Sequence, residues 1–347
     1  MEKEILIMRL SAMGDVAMTV PVIASFVKEH PHAHITMLSA PRLAPLFQNI
    51  PNLTFFPVDT KTKYAGNLGM LKLFNDLRKT HDFDTMIDLH DVLRSKIIRT
   101  LFRLNGKKVF VIDKGRKEKK ELVKGNCKIQ LKNSIERYQE VFQKAGFCFE
   151  VKKENFLPLE LLTLSQKAKE LISQKGNKQW IGIAPFAQHA GKIYPLSLCE
   201  EVVKHFSQKE GIQLLLFGGG EKEKSILDKW ASQYENTLSL VGQFNLSDEM
   251  GLMQNCTVLL SMDSANMHLA SLVRTPVVSV WGATHPYAGF YGYEQNPDDA
   301  VQLQMECRPC SIFGNKPCKL GDFRCMNEIK PEMVISKLER HISLKQL

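Results

Sequence analysis

One aspartate of this 347-residue chain directly follows the first strand-like run. The apolar run EILIMRL leads into SAMGDVAMTVP, so Gly14 and Asp15 lie where a first strand should turn into a first helix. A carboxylate at such a turn either caps the helix or acts as a general base on a bound hydroxyl. The local sequence leaves both interpretations open for Asp15.

A second set of chemistry-bearing residues follows the strand-like runs of the C-terminal half. Lys192 lies in APFAQHAGKIYP, Glu221 follows three glycines, and Asp263 and Ser264 lie in SMDSANMHLA. Turn N–H groups, positive helix ends and a lysine suit phosphate, and an acid after the glycines suits ribose hydroxyls. Each feature alone is compatible with a cap, a tight turn or a surface side chain. Together they predict a nucleotide-phosphate site.

The elements that must position these residues alternate between short apolar runs and longer helical stretches. Five strand-like runs precede a polar joint near residues 150–178, and five more follow it. This alternation predicts two α/β domains of similar size, each with a parallel sheet. We set the domains at residues 1–165 and 166–330, followed by a C-terminal amphipathic helix at 331–347.

Positive charge is concentrated in the first of these domains. The formal net charge is +9, and residues 1–165 hold 27 Lys+Arg against 18 Asp+Glu, whereas the remaining residues hold 19 of each. Such a surface attracts an anionic lipid, a membrane or a nucleic acid, unless it is only a solvated basic face. The densest stretch, 107–132, has one aromatic residue, Phe110, which argues against a nucleic-acid site because no stacking platform is present.

The termini and the cysteines bear on the compartment and on metal binding. No apolar run approaches 18 residues and MEKE does not begin a signal peptide, so we expect a cytoplasmic protein.

Four of the eight cysteines cluster in CRPCSIFGNKPCKLGDFRC: Cys307, Cys310, Cys318 and Cys325. Four thiolates in 19 residues can hold a structural zinc, but the spacing lacks a second Cys-X2-Cys pair. Packed thiols or a redox pair are the alternative.

The sequence resembles glycosyltransferase family 9, the ADP-heptose:lipopolysaccharide heptosyltransferases, over nearly its whole length. The motifs that carry the resemblance are ILIMRLSAMGDVAMTVP, GKIYP, GGGE, SMDSANMHLASL with PVVSVWGATHP, and the cysteine segment. The resemblance implies the GT-B fold, in which two Rossmann-like domains face each other across a central cleft. It implies that the first domain binds the acceptor, that the second binds the nucleotide sugar, and that helix 331–347 crosses back toward the first.

The resemblance also implies roles for individual residues. Asp15 is expected to be the catalytic base of an inverting, metal-independent transfer of heptose from ADP-heptose, with no required cofactor. The predicted donor-binding residues are Gly14, Gln188, Lys192, Glu221, Asp263, Ser264, Ala265, Asn266 and His268. Ser264 stands where the family has threonine, Ala265 where it has glycine, and Ile193-Tyr194 where Arg-Trp is frequent. A transferase or epimerase that uses a different nucleotide sugar is therefore the alternative.

The implied acceptor is the inner core of lipopolysaccharide, an anionic precursor of lipid A–Kdo type. We expect basic side chains to bind it, with arginine suited to bidentate contacts. The predicted acceptor-binding residues are Lys61, Lys63, Arg94, Arg116, Lys117 and Lys120. We also expect peripheral contact with the inner face of the cytoplasmic membrane and no nucleic-acid partner.

Overall fold

Two parallel sheets alternate with helices in the computed structural model, which describes residues 3–48, 50–156 and 162–344. The strands are β1 (Lys3–Met8), β2 (Ala33–Ser39), β3 (Leu53–Pro57), β4 (Thr85–Asp88), β5 (Lys108–Val111), β6 (Gln179–Ala184), β7 (Ile212–Leu216), β8 (Thr237–Ser239), β9 (Val258–Met262), β10 (Val277–Trp281) and β11 (Ala300–Gln302). The helices are α1 (Met13–Ala17), α2 (Val20–Glu29), α3 (Gly66–Thr80), α4 (Leu93–Leu104), α5 (Arg116–Lys124), α6 (Ser134–Lys144), α7 (Gln166–Ser173), α8 (Leu196–Ser207), α9 (Gly220–Gln233), α10 (Leu246–Gln254), α11 (Ala265–Leu272), α12 (Arg324–Asn327) and α13 (Pro331–Leu344).

The first sheet has the strand order β3-β2-β1-β4-β5, and all of its pairs are parallel. β1 lies at its centre, where Ile5 pairs with Ile35 of β2 and Ile7 with Ile87 of β4. These side chains are fully buried, as expected for a parallel strand covered on both faces. The strand order reverses between β1 and β4, so the loops that follow these two strands lie side by side.

The second sheet has the strand order β11-β10-β9-β6-β7-β8 and is also parallel. Its order reverses between β6 and β9, which again brings the loops after two neighbouring strands together. All ten strand-like runs of the sequence form strands, which confirms the predicted α/β architecture with two Rossmann-like sheets. The sequence pattern missed β11, because its three residues contain a single large apolar side chain, Val301.

The chain divides into two compact units, and one stretch lies in a different unit from the one that the sequence division suggests. The first unit contains the described residues of Met1–Lys114 and Ser134–Leu161, and the second those of Gly115–Asn133 and Leu162–Leu347. Leu122 and Leu131 of the 115–133 stretch are buried against Ala288, with Phe290 and Ile312 packed around them. This apolar cluster, rather than position along the chain, assigns α5 to the second unit.

The C-terminal helix α13 packs within the second unit. Val334 and Leu338 are fully buried in the same cluster as Phe206 of α8. At its outer end, Arg340 and His341 contact the buried carboxylate of Asp299 at 2.8 and 2.9 Å. The crossing of 331–347 toward the first domain stays a prediction, and residues 345–347 lie outside the described part. None of the helices within the described ranges has the length and apolar character needed to span a bilayer.

Candidate active site

The carboxylate of Asp15 lies in α1, just after β1, and pairs with the guanidinium of Arg9. Arg9 Nη2 is 2.5 Å from Asp15 Oδ2, and the two side chains are 7% and 32% exposed. Ala12 occupies the cap position of α1 and makes no side-chain cap bond, so Asp15 lies inside the helix and is not its cap. The ion pair favours the charged carboxylate, while the exposed third of the side chain stays accessible to a substrate.

Arg9 is itself held by the surrounding first unit. Its Nη1 donates to the carbonyl oxygen of Leu89 at 2.7 Å, and its guanidinium carbon lies 5.9 Å from the ring centre of Tyr138. The Tyr138 hydroxyl donates to the backbone carbonyl of Asp15 at 3.1 Å, and burial raises the pKa of this tyrosine, which keeps it a donor. Sequence reasoning missed Arg9, whose signal was a lone cation at the end of an apolar strand.

His90 follows β4 and lies against the turn that precedes α1. The Leu10 N–H donates to His90 Nδ1 at 3.4 Å, and His90 Nε2 lies 3.4 Å from Ser11 Oγ. Burial, together with the nearby charge of Arg9, lowers the pKa of His90 to about 3. The imidazole is therefore neutral at neutral pH, with its Nε2–H directed to Ser11, and it supports the turn rather than exchanging protons.

Asp88 at the end of β4 fixes the loop that carries His90. Its fully buried carboxylate accepts the backbone N–H groups of His90 and Asp91, both at 2.9 Å. Arg99 of α4 contacts Asp88 at 3.0 Å and Asp91 at 2.8 Å. The two loops at the switch point of the first sheet are connected by Arg9, which donates to the Leu89 carbonyl, and by His90, which contacts Leu10 and Ser11.

In the second unit, Lys192 and Asp263 form an ion pair after the neighbouring strands β6 and β9. Lys192 Nζ is 2.8 Å from Asp263 Oδ2, and the side chains are 14% and 4% exposed. Asp263 precedes α11, so the ammonium group lies near the N-terminal end of this helix. A lysine beside a helix N-terminus is a suitable arrangement for a phosphate anion. The structure thus brings together two of the predicted donor-binding residues.

The stem of Lys192 packs closely against the cysteine-containing segment. A Cβ added to Gly314 would lie 2.6 Å from Lys192 Cγ, and one added to Gly191 would lie 2.8 Å from Ala283 Cβ. Gly314 also has a φ of +71°, a conformation that favours glycine. The Cys310 N–H donates to the Ala283 carbonyl at 3.1 Å, which ties this segment to the loop after β10. The cysteine-containing segment therefore supports Lys192 from one side.

Four further predicted donor-binding residues lie on or beside α11. Ser264 occupies the cap position without a side-chain cap bond, and its hydroxyl is 3.2 Å from Ser261 Oγ. Ala265, Asn266 and His268 belong to the first half of the helix and are half-buried. Ser264 therefore offers a hydroxyl at the helix N-terminus, although Ala265 adds a methyl group where a glycine would leave more space.

The remaining predicted donor-binding residues are dispersed. Gln188 is exposed in the loop after β6, and Glu221 is exposed in the first turn of α9. Glu223, rather than Glu221, accepts the Gly219 N–H at 2.7 Å and closes the glycine turn. The Glu221 carboxylate is therefore not the one that closes the turn. Gly14 is buried beside Asp15 in the first unit.

Tyr194, one of the departures from the family pattern, is a core residue. It is fully buried, and its hydroxyl donates to the Ile329 carbonyl at 2.9 Å. Burial raises the pKa of this hydroxyl, so it stays protonated. The replacement at this position therefore concerns packing under α13.

The predicted acceptor-binding residues are divided between the two units. Lys61, Lys63 and Arg94 surround one turn of the first unit, where Arg94 Nη1 lies 3.4 Å from Thr60 Oγ1. Lys63 lies 3.5 Å from the carboxylate of Asp76, and its side chain is 56% exposed. The other three, Arg116, Lys117 and Lys120, are exposed on α5 of the second unit.

The four clustered cysteines line one small cavity. Even so, nowhere in residues 3–48, 50–156 and 162–344 do three His, Cys, Asp or Glu side chains form a group that could hold a metal. Backbone N–H groups, first that of Phe323, lower the pKa of the Cys318 thiol, whereas burial raises the pKa of Cys325 to about 11. The structure thus places four thiols of unequal acidity around one cavity.

A known protein family matches most of this chain. The family model for glycosyltransferase family 9 (heptosyltransferase) matches residues 70–318. The chain belongs to this family. As a family 9 glycosyltransferase it is a transferase enzyme, and it has the GT-B fold of its structural neighbours.

Relatives of this family 9 transferase match it over almost their full length. The lipooligosaccharide heptosyltransferase 2 of Campylobacter jejuni is 24% identical over 334 residues, which cover 94% of this chain and 96% of the relative. A family 9 glycosyltransferase from Veillonella parvula has a TM-score of 0.75 at 20% identity, covering 99% and 98% of the two chains. The Escherichia coli heptosyltransferase WaaC with ADP-2-deoxy-2-fluoro heptose has a TM-score of 0.66 at 16% identity, covering 97% and 99%.

The buried neutral His90 predicts a loss of stability in acid. In the unfolded chain the His90 imidazole has a pKa near 6.5, whereas in the folded chain its pKa is about 3. Between these pH values the unfolded chain binds a proton at His90 and the folded chain does not. The free energy of unfolding should fall by up to about 1.4 kcal/mol per pH unit for this group. Urea unfolding at pH 7 and pH 5 should show a smaller pH difference in His90→Asn than in wild type. His32→Asn at an exposed position is the control, and an unchanged difference in His90→Asn would contradict the assignment.

The unequal thiol acidities predict an order of alkylation. In native protein at pH 8, iodoacetamide should modify Cys318 well before Cys325, because only the Cys318 thiolate is stabilised by backbone N–H groups. Cys199 is fully buried and its pKa is raised to about 12, so it should react only after unfolding. Peptide mass spectrometry with and without a chelator measures this order. Equal protection of all four clustered cysteines that a chelator removes would instead show a bound metal.

Proposed function

We propose that this protein transfers heptose from ADP-heptose to the inner core of a lipopolysaccharide precursor of lipid A–Kdo type, with inversion and without a metal. The observation that carries the proposal is the Asp15 carboxylate, one-third exposed and held by the buried guanidinium of Arg9. Membership of the heptosyltransferase family supports the reaction class, and the names of the curated relatives support lipopolysaccharide as the acceptor class.

Asp15 acts as the general base in this mechanism. The acceptor hydroxyl gives its proton to the carboxylate as its oxygen forms a bond to the anomeric carbon of the donor. The bond from that carbon to the diphosphate oxygen breaks, and ADP leaves with the electron pair. Attack from the face opposite the leaving group inverts the anomeric centre. Arg9 keeps the carboxylate charged and oriented, because its own position is fixed by Leu89 and Tyr138.

Lys192 stabilises the leaving diphosphate in this proposal. In the structure its ammonium group is paired with Asp263 near the start of α11, where a phosphate would also meet backbone N–H groups. The Ser264 hydroxyl lies at the same helix end and supplies a further donor. Positive charge placed where negative charge develops is an established source of rate enhancement. Glu221 is exposed at the start of α9, and in this assignment its carboxylate accepts hydrogen bonds from the ribose hydroxyls.

The anionic acceptor is assigned to the cations of the first unit. Lys61, Lys63 and Arg94 surround the turn after β3, in the same unit as Asp15. The acceptor is a lipid, so the enzyme would meet it at the inner face of the cytoplasmic membrane through a peripheral contact.

A GT-B enzyme with another nucleotide sugar is the competing function. Ala265 favours it, because a methyl group at the start of α11 narrows the space in which a sugar diphosphate is bound. The nucleotide preference separates the two functions. ADP should raise the melting temperature more than UDP, GDP or CDP if heptose is the donor sugar, whereas a preference for UDP would favour the competing function.

Substitution of the base tests the mechanism. Asp15→Asn should lower turnover of ADP-heptose on a lipid A–Kdo acceptor at least 100-fold, because proton transfer by a positioned base contributes about 10²–10⁴-fold. The stabilisation by ADP should be unchanged, because the donor phosphates are assigned to the second unit. Asp82→Asn, at a side chain that is 92% exposed in the same unit, is the matched control. Turnover of Asp15→Asn within tenfold of wild type would exclude Asp15 as the base.

Neutralisation of the cations tests the acceptor assignment. Arg94→Ser should raise the acceptor KM about tenfold, because one charge-assisted contact contributes about 1.5 kcal/mol. The donor KM should not change. Lys79→Ser, an exposed lysine at the end of α3, is the control for a general loss of charge. An equal rise in both variants, or a change in the donor KM alone, would contradict the assignment.

A further inference from the structure

We propose that one surface of the second unit docks this enzyme on an anionic lipid bilayer. We call it the basic–aromatic surface, and it consists of Arg116, Lys117, Lys119, Lys120, Lys128, Ile129, Tyr287, Phe290 and Phe313. This proposal names the surface that would make the peripheral membrane contact of the proposed function. It rests on that function only to explain why the enzyme would dock. The binding itself requires neither donor nor acceptor.

The cations of this surface are presented by a helix that is anchored from below. Leu122 of α5 is 1% exposed and packs with Leu131 and Ala288. With 3.6 residues per turn, a buried Leu122 directs Lys117 and Lys120 to the opposite side, and both are exposed. Residues 116–132 contain seven basic and two acidic residues. One of these acids, Glu121, contacts Lys124 at 2.9 Å and Asn126 at 2.6 Å, so its carboxylate is largely engaged by these two neighbours.

Large apolar side chains lie beside these cations and are exposed to solvent. Ile129 is 60% exposed, Phe313 55% and Tyr287 37%. Single exposed apolar residues are ordinary on a soluble protein, but a group of them beside a cationic helix is not. A bilayer interface satisfies both kinds of side chain, because lipid headgroups pair with lysine while aromatic and aliphatic groups enter the acyl boundary.

Direct contacts join the apolar and basic parts into one surface. The ammonium group of Lys119 lies 4.2 Å from the ring centre of Phe290, and the rings of Phe290 and Phe313 are 5.9 Å apart. On the other side, the Leu131 N–H donates to the Tyr287 carbonyl at 2.9 Å, next to Ile129 and Gln130. Lys128 and Tyr287 line the same pocket. The cations and apolar groups are therefore interleaved rather than separate patches.

The segment that follows Phe313 has the same character. Lys316 and Lys319 are exposed, and Leu320 is 54% exposed. No acidic residue occurs between Cys307 and Gly321. A second basic and apolar stretch thus continues from the surface, which enlarges the area that an anionic bilayer would attract. The chemistry matches lipid better than nucleic acid, because the exposed apolar groups include aliphatic side chains that cannot stack on bases.

Vesicle co-sedimentation without donor or acceptor tests the proposal. Wild-type protein should bind vesicles of phosphatidylglycerol and phosphatidylethanolamine, should not bind phosphatidylcholine vesicles, and should be released by 0.5 M salt. K117E/K120E should weaken binding at least tenfold, because each cation near an anionic surface contributes about fivefold. I129S/F313S should weaken it about fivefold at unchanged charge.

Matched variants elsewhere on the second unit control for general effects. K169E/K178E makes the same charge change at two other exposed lysines, and L238S removes an apolar side chain that is 38% exposed. Both should bind the vesicles as wild type does. Equal loss of binding in K169E/K178E, unchanged binding in K117E/K120E, or binding to duplex DNA but not to vesicles would overturn the proposal. So would binding that appears only when acceptor lipid is added, since the surface would then recognise the acceptor headgroup.

Activity on a deacylated, water-soluble acceptor separates docking from catalysis. I129S should turn over this acceptor as wild type does and should lose activity only on acceptor presented in vesicles. Loss of activity on the soluble acceptor with vesicle binding intact would overturn the proposal, because the surface would belong to the active site. If wild type binds vesicles but turns over no acceptor, the proposed function fails while the docking surface stands.

Discussion

A buried guanidinium that must have an anionic partner is the constraint on which the candidate base depends. Arg9 extends from the end of β1 into the interior of the first unit, where an unpaired charge would be strongly destabilising. Its partners are the Leu89 carbonyl, the face of Tyr138 and the Asp15 carboxylate. Because the first two are fixed by the fold, Asp15 has little freedom to turn away. The candidate base is therefore held in one orientation.

In the second unit the buried charge is negative, and it too is paired with an ion of opposite charge. The Asp263 carboxylate is 4% exposed and pairs with Lys192, which approaches from the loop after the neighbouring strand. A bound diphosphate would compete for the same ammonium group, so the pair holds Lys192 in place before the ligand arrives. In both units the ionic contact lies beyond the switch point of a parallel sheet, where two loops leave adjacent strands. The same topology therefore positions both ion pairs.

Two stretches outside the regular alternation complete the second unit. The 115–133 stretch adds α5 through Leu122 and Leu131, and the cysteine-containing segment closes against Lys192 through Gly314. Arg308 of that segment is buried and donates to the carbonyls of Gly282 and Thr284, on either side of Ala283. The cysteines therefore belong to a segment that shapes the loop after β10, whatever their chemistry.

The sequence alone determined the α/β class, the ten main strands and the positions of Asp15, Lys192 and Asp263 after strands, because apolar periodicity and turn residues are local signals. It could not show which loops are neighbours, since the strand order depends on packing between distant segments. Only the tertiary structure therefore decided that Arg9 faces Asp15 and that Tyr194 lies in the core. It also decided that α5 packs with the second unit, because a few buried leucines outweigh both chain order and a run of surface charge.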